Sequence, residues 1–295
     1  MTMSTAQRTA PDRVITALAD RRNTVIEAIR GAKRQISLSL FRCNDEAVFA
    51  ELARAVSRGV VVEALITSRA RGGRKRLEKL RKTMERIGVM VHAYADPVVK
   101  YHAKYLVVDG GPAVVASLNF TRKCFERTWD ALVVTYDPEV VSGLRRLMAA
   151  DRDGRAIPES LGSRLIVGPE RARGQLRALI ERAQSNIRLI DAKLSDPDLV
   201  TLLNARRASG VIVEIVGSKQ VGNLKSHGKI MLVDNRVAVV GSLALATLSL
   251  DFRREVAIVV DDPGAVAEID HWFRTMAAVH ATGSLAADGT GVAPC

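Results

Sequence analysis

Apolar and polar positions along the chain follow helix and strand periods in an order that occurs twice. Near the N-terminus the order is helix, strand, helix, strand, and Gly59 caps the second helix. The same order recurs in residues 175–216, with Gly210 in the position of Gly59. In the first copy, the predicted segments are a helix in 13–34, strands in 36–41 and 60–66, and a helix in 46–58.

The repeat predicts an α/β protein built from two tandem halves, each a mixed sheet flanked by helices. Further strands are predicted at 113–116 and 131–135 in the first half and at 237–240 and 256–260 in the second. Helices at 138–148 and 263–279 close the halves. The predicted domains are 1–153 and 163–280, with a linker at 154–162 and a disordered tail at 281–295.

A short polar motif precedes a buried apolar strand in each half. The first copy is His102-Ala-Lys104 followed by Asp109, and the second is His227-Gly-Lys229 followed by Asp234. We interpret each motif as a strand, in which the His and the Lys share one face because side chains repeat every two residues. An isolated His-x-Lys would more often be an ordinary part of a strand, but the duplication argues for a function.

More polar residues recur at equal distances from the two motifs. A serine lies 15 residues after each His, and an acidic residue lies 13 residues after each serine. These residues are Ser117 and Asp130 in the first half, and Ser242 and Glu255 in the second. Taken singly, the serines would be turn residues and the acids surface charges.

This arrangement resembles the phospholipase D superfamily, whose pattern is His-x-Lys-x4-Asp followed by Gly-Ser-x-Asn. The resemblance implies a pseudo-twofold pair of halves, one shared active site and a covalent phosphohistidine intermediate, with no cofactor and no metal. His102 and His227 would then be the nucleophile and the acid. The other motif residues are Lys104 and Lys229, with Asp109 and Asp234, which we expect to be structural or electrostatic.

The remaining roles follow from the same chemistry. Phosphate binding is assigned to Ser117, Asn119 and Ser242, because donors stabilise the charge that develops on phosphoryl oxygens. Asp130 and Glu255 are candidates to orient the two imidazoles. The chain departs from the superfamily pattern where Ala116 replaces a Gly and where Ala244 replaces the second Asn. The second departure removes a phosphate donor and predicts an asymmetric site.

The first half carries an insertion at about residues 69–94. Gly59 and His102 are 43 residues apart, whereas Gly210 and His227 are 17 apart, so the first half is longer by 26 residues. Residues 69–86 hold nine Lys or Arg and two Glu on an amphipathic helical pattern. The pattern is typical of a solvated face, but it also predicts a substrate-docking helix that uses Arg74, Lys75, Lys79, Arg81, Lys82 and Arg86.

Composition narrows the partners without choosing one. The net charge of +12 favours a polyanion, either nucleic acid or an anionic membrane surface. Aromatic residues make up only 4% of the chain, which weakens both base stacking and aromatic anchoring in lipid. No apolar run is long enough for a membrane span, and no signal peptide is evident. Three scattered cysteines suit a reducing compartment, with Cys43 and Cys124 as buried apolar residues.

Three functions remain open on the sequence alone. We favour a phospholipase D-like phosphodiesterase or phosphatidyl transferase that acts on phospholipid without a metal. The alternatives are a metal-independent nuclease, favoured by the charge, and a degenerate polyanion-binding protein, suggested by Ala244. We expect a cytoplasmic monomer that makes peripheral contact with membranes.

Overall fold

A computed structural model describes residues 10–69, 73–217, 220–221 and 223–287. The first half contains, in chain order, β1 (Arg13–Ile15), α1 (Leu18–Gly31), β2 (Gln35–Leu40), α2 (Glu46–Ser57), β3 (Val61–Thr67), α3 (Arg74–Arg86), β4 (Met90–Tyr94), β5 (Lys100–Tyr101), β6 (Tyr105–Val108), β7 (Ala113–Ala116), α4 (Arg122–Glu126), β8 (Thr128–Trp129), β9 (Leu132–Thr135) and α5 (Pro138–Arg152). The second contains β10 (Leu165–Gly168), α6 (Ala172–Arg182), β11 (Asn186–Ile190), α7 (Pro197–Ala208), β12 (Ile212–Val216), β13 (Gln220–Val221), β14 (Leu224–Ser226), β15 (Ile230–Val233), β16 (Val237–Gly241), α8 (Thr247–Phe252), β17 (Arg253–Val260) and α9 (Pro263–Ala287).

Each half contains its own sheet, and the two sheets have corresponding strand orders. The first has the strand order β1-β9-β7-β6-β2-β3-β4, and the second has β10-β17-β16-β15-β11-β12. Parallel pairs lie at one edge of each sheet (β2 with β3 and β3 with β4 in the first, β11 with β12 in the second), and the pairs nearer the other edge are antiparallel. The predicted tandem α/β fold with two mixed sheets is therefore confirmed. The first sheet has one strand more, β4, which lies in the insertion.

The central strands are buried on both faces, as their unbroken apolar sequences predict. In β6, Tyr105 and Val107 pack into the core that the two halves share, whereas Leu106 and Val108 pack against the outer helices of the first half. The shared core also holds apolar side chains of α5 and α9, including Trp272, whose ring lies 5.7 Å from that of Trp129. The halves are thus joined by a continuous apolar interface.

Several predicted elements need correction. The helical pattern of residues 13–34 begins with a strand instead, because Arg13–Ile15 pair with β9 and bury Val14. The last helix continues to Ala287, so residues 281–287, which we expected to be disordered, are helical; alanine and leucine favour that state. Residues 288–295 of that predicted tail, which include Cys295, lie outside the described residues, as do residues 70–72 of the predicted insertion.

Candidate active site

The two motifs lie next to strands rather than within them. His102 and Lys104 occupy the irregular segment between β5 and β6, and His227 and Lys229 the one between β14 and β15. The prediction that each motif forms a strand is therefore wrong. Each motif connects two different strands. The strand before it is short and pairs with the opposite half, and the strand after it belongs to the core of its own half.

Those short strands cross between the halves. β5 pairs in parallel with β17, so that Lys100 lies opposite Arg253 and Tyr101 opposite Arg254. β14 pairs in parallel with β8 in the same way. The amide of His102 donates to the Arg254 carbonyl at 2.9 Å, which continues the first ladder toward Glu255. Each motif is thereby held against the segment of the other half that carries the acidic residue.

The consequence is a crossed pair of imidazole–carboxylate hydrogen bonds. His102 Nδ1 lies 2.9 Å from Glu255 Oε2, and His227 Nδ1 lies 3.0 Å from Asp130 Oδ2. Because an ionised carboxylate can only accept, Nδ1 carries the proton in each neutral ring and Nε2 keeps its lone pair. Each histidine thus takes its orienting carboxylate from the opposite half.

Each carboxylate is fixed in turn by hydroxyl groups. Asp130, fully buried, accepts from Ser117 and Thr128, both at 2.6 Å. Glu255, also fully buried, accepts from Ser249 at 2.9 Å. Burial acts to raise the pKa of Asp130, but His227, Lys229 and the Ser117 hydroxyl outweigh it and lower that pKa to about 2. Asp130 is therefore a permanent anion behind its histidine.

His102 is held as a neutral base. Burial lowers the pKa of its imidazole, and the charge of Lys104 lowers it further, against the opposing effect of Glu255. Its side chain is 12% exposed, whereas that of His227 is 30% exposed. The ring of His102 also packs against Phe41, with 4.5 Å between centroids. A neutral, oriented and nearly enclosed imidazole has the properties of a nucleophile.

Two lysines bring positive charge to the same point. Lys104 is buried and donates to the His102 carbonyl at 2.6 Å, and Lys229 donates to the His227 carbonyl. Burial lowers the pKa of Lys104 to about 7, with a further contribution from Lys229 and opposition from Glu255. The charges of both halves therefore act on one another, as a single shared site requires.

The serines that we assigned to phosphate binding have another task. Ser117 is fully buried, donates to Asp130 and accepts from the Ala131 amide at 3.0 Å. Ser242 accepts from the Val256 amide at 3.1 Å and is 1% exposed. Ser117 therefore supports Asp130 directly, whereas Ser242 bonds the backbone of Val256 and helps to lower the pKa of the neighbouring Glu255. Asn119 is different, because its buried Oδ1 has no hydrogen-bond partner among the described residues.

The aspartates of the motif lie at the far end of the apolar strands. Asp109 accepts from the amides of Lys33, Arg34 and Gln35 at 2.7–2.8 Å, and Asp234 does the same for residues 184–186. Both have positive φ, at 42° and 54°, which aspartate tolerates better than most residues. They fix the turn that enters β2 and β11, which agrees with the structural role that we expected of them.

We expect the Asp109→Ala variant to lose stability and keep its chemistry. It removes the acceptor of three amides and leaves an unfavourable φ, which together cost about 1–3 kcal/mol in the free energy of unfolding. Urea unfolding measures that loss, and kcat per folded molecule should stay within about twofold of the wild type. A drop in kcat with unchanged unfolding would contradict the structural role.

Sequence reasoning missed several residues at the site. Ser249, which supports Glu255, stands 125 residues after Cys124, and this is also the spacing of the two motifs. That spacing was a usable signal. Lys193 was also missed; burial lowers its pKa, and the charge of Lys229 lowers it further. Phe41 gave no signal, because its contact with His102 depends on the fold.

Within the part of the chain that the structure describes, one group of potential metal ligands touches this site. Cys124, Asp130 and His227 each place a ligand atom within 4.8 Å of the other two. Both oxygens of Asp130 already accept hydrogen bonds, and burial raises the pKa of the Cys124 thiol, which disfavours the thiolate that binds metals. The arrangement suits hydrogen bonding to His227 better than coordination. Cys43 is likewise a buried free thiol, as predicted.

The six residues predicted to dock the substrate all lie on the exposed side of α3. Arg74, Lys75, Arg81 and Lys82 face away from the body of the protein, and two of them pair with glutamates of the same helix. Lys79 and Arg86 instead border a groove between α3 and α2. The predicted set therefore divides into two faces of one helix.

Comparison with known proteins identifies relatives of this arrangement. The family described as "Cardiolipin synthase, PLD-like domain" matches residues 25–152 and 219–277. Cardiolipin synthase A of Pseudomonas aeruginosa strain LESB58 is 32% identical over 134 residues, which are 43% of this chain and 26% of that protein. The chain thus matches about a quarter of the length of this relative.

Two solved structures share the fold. The polyphosphate kinase of Porphyromonas gingivalis superposes with a TM-score of 0.73 at 21% identity, covering 89% of this chain and 46% of that one. The phosphatidylserine synthase of Haemophilus influenzae Rd KW20 superposes with a TM-score of 0.71 at 12% identity, covering 92% and 87%. At these identities the likeness concerns the fold alone.

Proposed function

Since the chain belongs to the family of PLD-like domains found in cardiolipin synthase, we propose that it cleaves a phospholipid phosphodiester through a covalent phosphohistidine. The observation that carries the proposal is the crossed pair of imidazole–carboxylate hydrogen bonds. It supplies two oriented histidines in one site, one for attack and one for proton transfer. At the level of the family, the chemistry is that of phospholipid phosphodiesterases and transferases.

In the first step, Nε2 of His102 attacks phosphorus and the bond to the leaving oxygen breaks. The developing positive charge on His102 is stabilised by Glu255, which already accepts from Nδ1. His227, the more exposed ring, starts this step as an imidazolium, gives its Nε2 proton to the leaving alcohol and is left as the neutral ring. Lys104 and Lys229 lie at the same point to stabilise negative charge on the phosphoryl oxygens.

In the second step, His227 takes a proton from the acceptor, whose oxygen attacks the phosphohistidine and releases His102. Water as acceptor gives hydrolysis, and an alcohol gives transfer to a second lipid or head group. Asp130 keeps the imidazole of His227 in the tautomer needed for both directions of proton transfer. The same residues therefore serve either outcome.

The choice of phospholipid rests on the relatives, and a second candidate has its own support. The net charge of +12 and the cationic face of α3 also suit a nucleic acid substrate. A degenerate binding protein is favoured by Ala244, where the superfamily pattern has Asn. Against it, both histidines keep their carboxylates and both lysines are present, so the groups that perform the chemistry are intact.

A panel assay separates these functions. Purified protein is incubated in EDTA with phosphatidylglycerol, phosphatidylcholine, single-stranded DNA and duplex DNA. We expect phospholipid turnover that does not need a divalent metal, because His and Lys provide the nucleophile and the charge. Activity confined to DNA would establish the nuclease, activity restored only by Mg²⁺ or Zn²⁺ would contradict the mechanism, and binding without turnover would establish the degenerate protein.

The pH dependence of kcat/KM should follow the ionisation of the Lys104 ammonium group. Its lowered pKa, about 7, means that the free enzyme loses this ammonium as pH rises through neutrality. We therefore expect kcat/KM for an anionic diester to fall above about pH 7, and kcat to fall at a higher pH, because bound phosphate favours the charged lysine. In Lys104→Arg the alkaline limb should move upward. A limb that stays in place would belong to another group.

A further inference from the structure

A groove opens beside the nucleophile in the first half. It lies between α2 and α3 and has a volume of about 830 Å³, within the range of ligand-binding pockets, roughly 300–1,000 Å³. Phe41 lines the groove. The same ring packs against His102 and lies 5.5 Å from Lys104 Nζ, so it stands between the groove and the active site. The groove and His102 therefore share the Phe41 ring.

The floor of the groove is apolar although the helix above it is highly charged. Phe41, Phe49, Leu77, Leu80 and Ile87 line it, and all except Leu80 keep part of their side chains accessible. Met84, one turn from Leu80 on α3, is fully buried beneath and anchors the helix. If the cationic helix served only as a solvated surface, there would be no reason for the apolar surface beneath it to stay partly exposed.

The rim of the groove is strongly positive. Its charged members are Arg42, Arg76, Lys79, Arg86, Lys123 and Glu46, which makes five cations against one anion. All six are exposed. An apolar floor under a cationic rim is complementary to an anionic amphiphile, whose chain would lie on the floor while its charged end faces the rim and the lysines of the active site.

We propose that this groove holds an acyl chain of the anionic phospholipid whose phosphodiester reacts at His102. The inference rests on the proposed function and adds the position of the chain. The groove is a property of the first half alone: among the described residues between β12 and β15 there are only the short strands β13 and β14, with no counterpart of α3. The lipid is therefore bound asymmetrically, with its chain on the His102 side.

Filling the groove tests the proposal without touching the catalytic groups. Ala50 lies on α2, lines the groove and is exposed, so Ala50→Trp adds bulk on the floor and removes no core contact. Ala47 is exposed on the same helix outside the groove, so Ala47→Trp is the matched control. Circular dichroism and thermal unfolding confirm that both variants fold.

The substrates are phosphatidylglycerols with chains of four, six and eight carbons, used as monomers, together with bis(p-nitrophenyl) phosphate and single-stranded DNA. In the wild type and Ala47→Trp, kcat/KM should rise with chain length, because each buried methylene adds binding energy. In Ala50→Trp the rise should flatten, with a loss on the order of tenfold or more for the longest chain. Turnover of bis(p-nitrophenyl) phosphate should be unchanged in all three proteins.

The outcomes separate the two levels of the proposal. If the wild type turns over none of the phosphatidylglycerols, the proposed function fails. If it turns them over but Ala50→Trp shows the wild-type dependence on chain length, or loses activity equally on every substrate, the function stands and the groove assignment is overturned. If Ala50→Trp selectively loses cleavage of single-stranded DNA, the groove holds a nucleic acid strand and the lipid assignment is overturned.

Discussion

The His102→Ala variant is expected to lose turnover and to form no covalent phosphoenzyme. The expectation follows from the neutral, buried imidazole of His102, whose Nε2 is the free nucleophilic atom once Nδ1 donates to Glu255. His227→Ala should also lose turnover, by a factor on the order of 10⁴ or more, but it should still form the phosphoenzyme from bis(p-nitrophenyl) phosphate. The nitrophenolate leaves without a proton, so only the second step then needs His227.

The measurement is acid-quenched trapping with ³²P-labelled diester followed by peptide mapping. Label on His102 in the His227→Ala variant supports the assignment, and label on His227 in the His102→Ala variant would reverse the two roles. The double variant should be no slower than the worse single variant, because residues that act as a unit are not additive. Near-wild-type activity in either single variant would rule out a shared site.

Replacing either carboxylate of the crossed pair should have an equally large effect, on the step performed by the histidine of the opposite half. Glu255→Gln should slow the step performed by His102, although Glu255 belongs to the second half, and Asp130→Asn should slow the step performed by His227. Replacing the carboxylate behind a catalytic histidine costs about 10²–10⁴-fold, because the useful tautomer is lost. Both substitutions keep the size of the side chain.

Stopped-flow kinetics with bis(p-nitrophenyl) phosphate separates the two. Glu255→Gln should slow the initial burst of nitrophenolate, which reports attack by His102. Asp130→Asn should keep the burst and lower the steady-state rate, which reports breakdown of the phosphoenzyme. If each carboxylate served the histidine of its own half, the two results would be exchanged, so the experiment decides between crossed and uncrossed pairing.

The residues of the candidate site were predictable from sequence because they recur at fixed spacing. The two His-x-Lys motifs and the two acidic residues were identified in this way, and the structure brings all six together. The pairing was not predictable. Asp130 and Glu255 stand at equal distances from the motifs of their own halves, and only the register of β5 with β17 and of β14 with β8 assigns each acid to the opposite histidine.

Roles that depend on depth were also beyond the sequence. Ser117 and Ser242 have the chemistry of phosphate donors, but burial beside the carboxylates gives them a supporting task. Residues 13–34 carry a helical pattern, yet Arg13–Ile15 form a strand because an edge of the sheet is available to them. In both cases a tertiary neighbour, absent from the local sequence, decides between two locally acceptable states.

The crossed pairing also sets when during synthesis each histidine of the candidate site can gain its carboxylate. His102 and its carboxylate are 153 residues apart, so the first half can leave the ribosome and begin to fold while its histidine still has no partner. At ordinary rates of translation, Glu255 follows roughly 8–30 s after His102. A nascent chain that has not yet reached Glu255 thus lacks the carboxylate of His102, so the proposed cleavage has to await the second half.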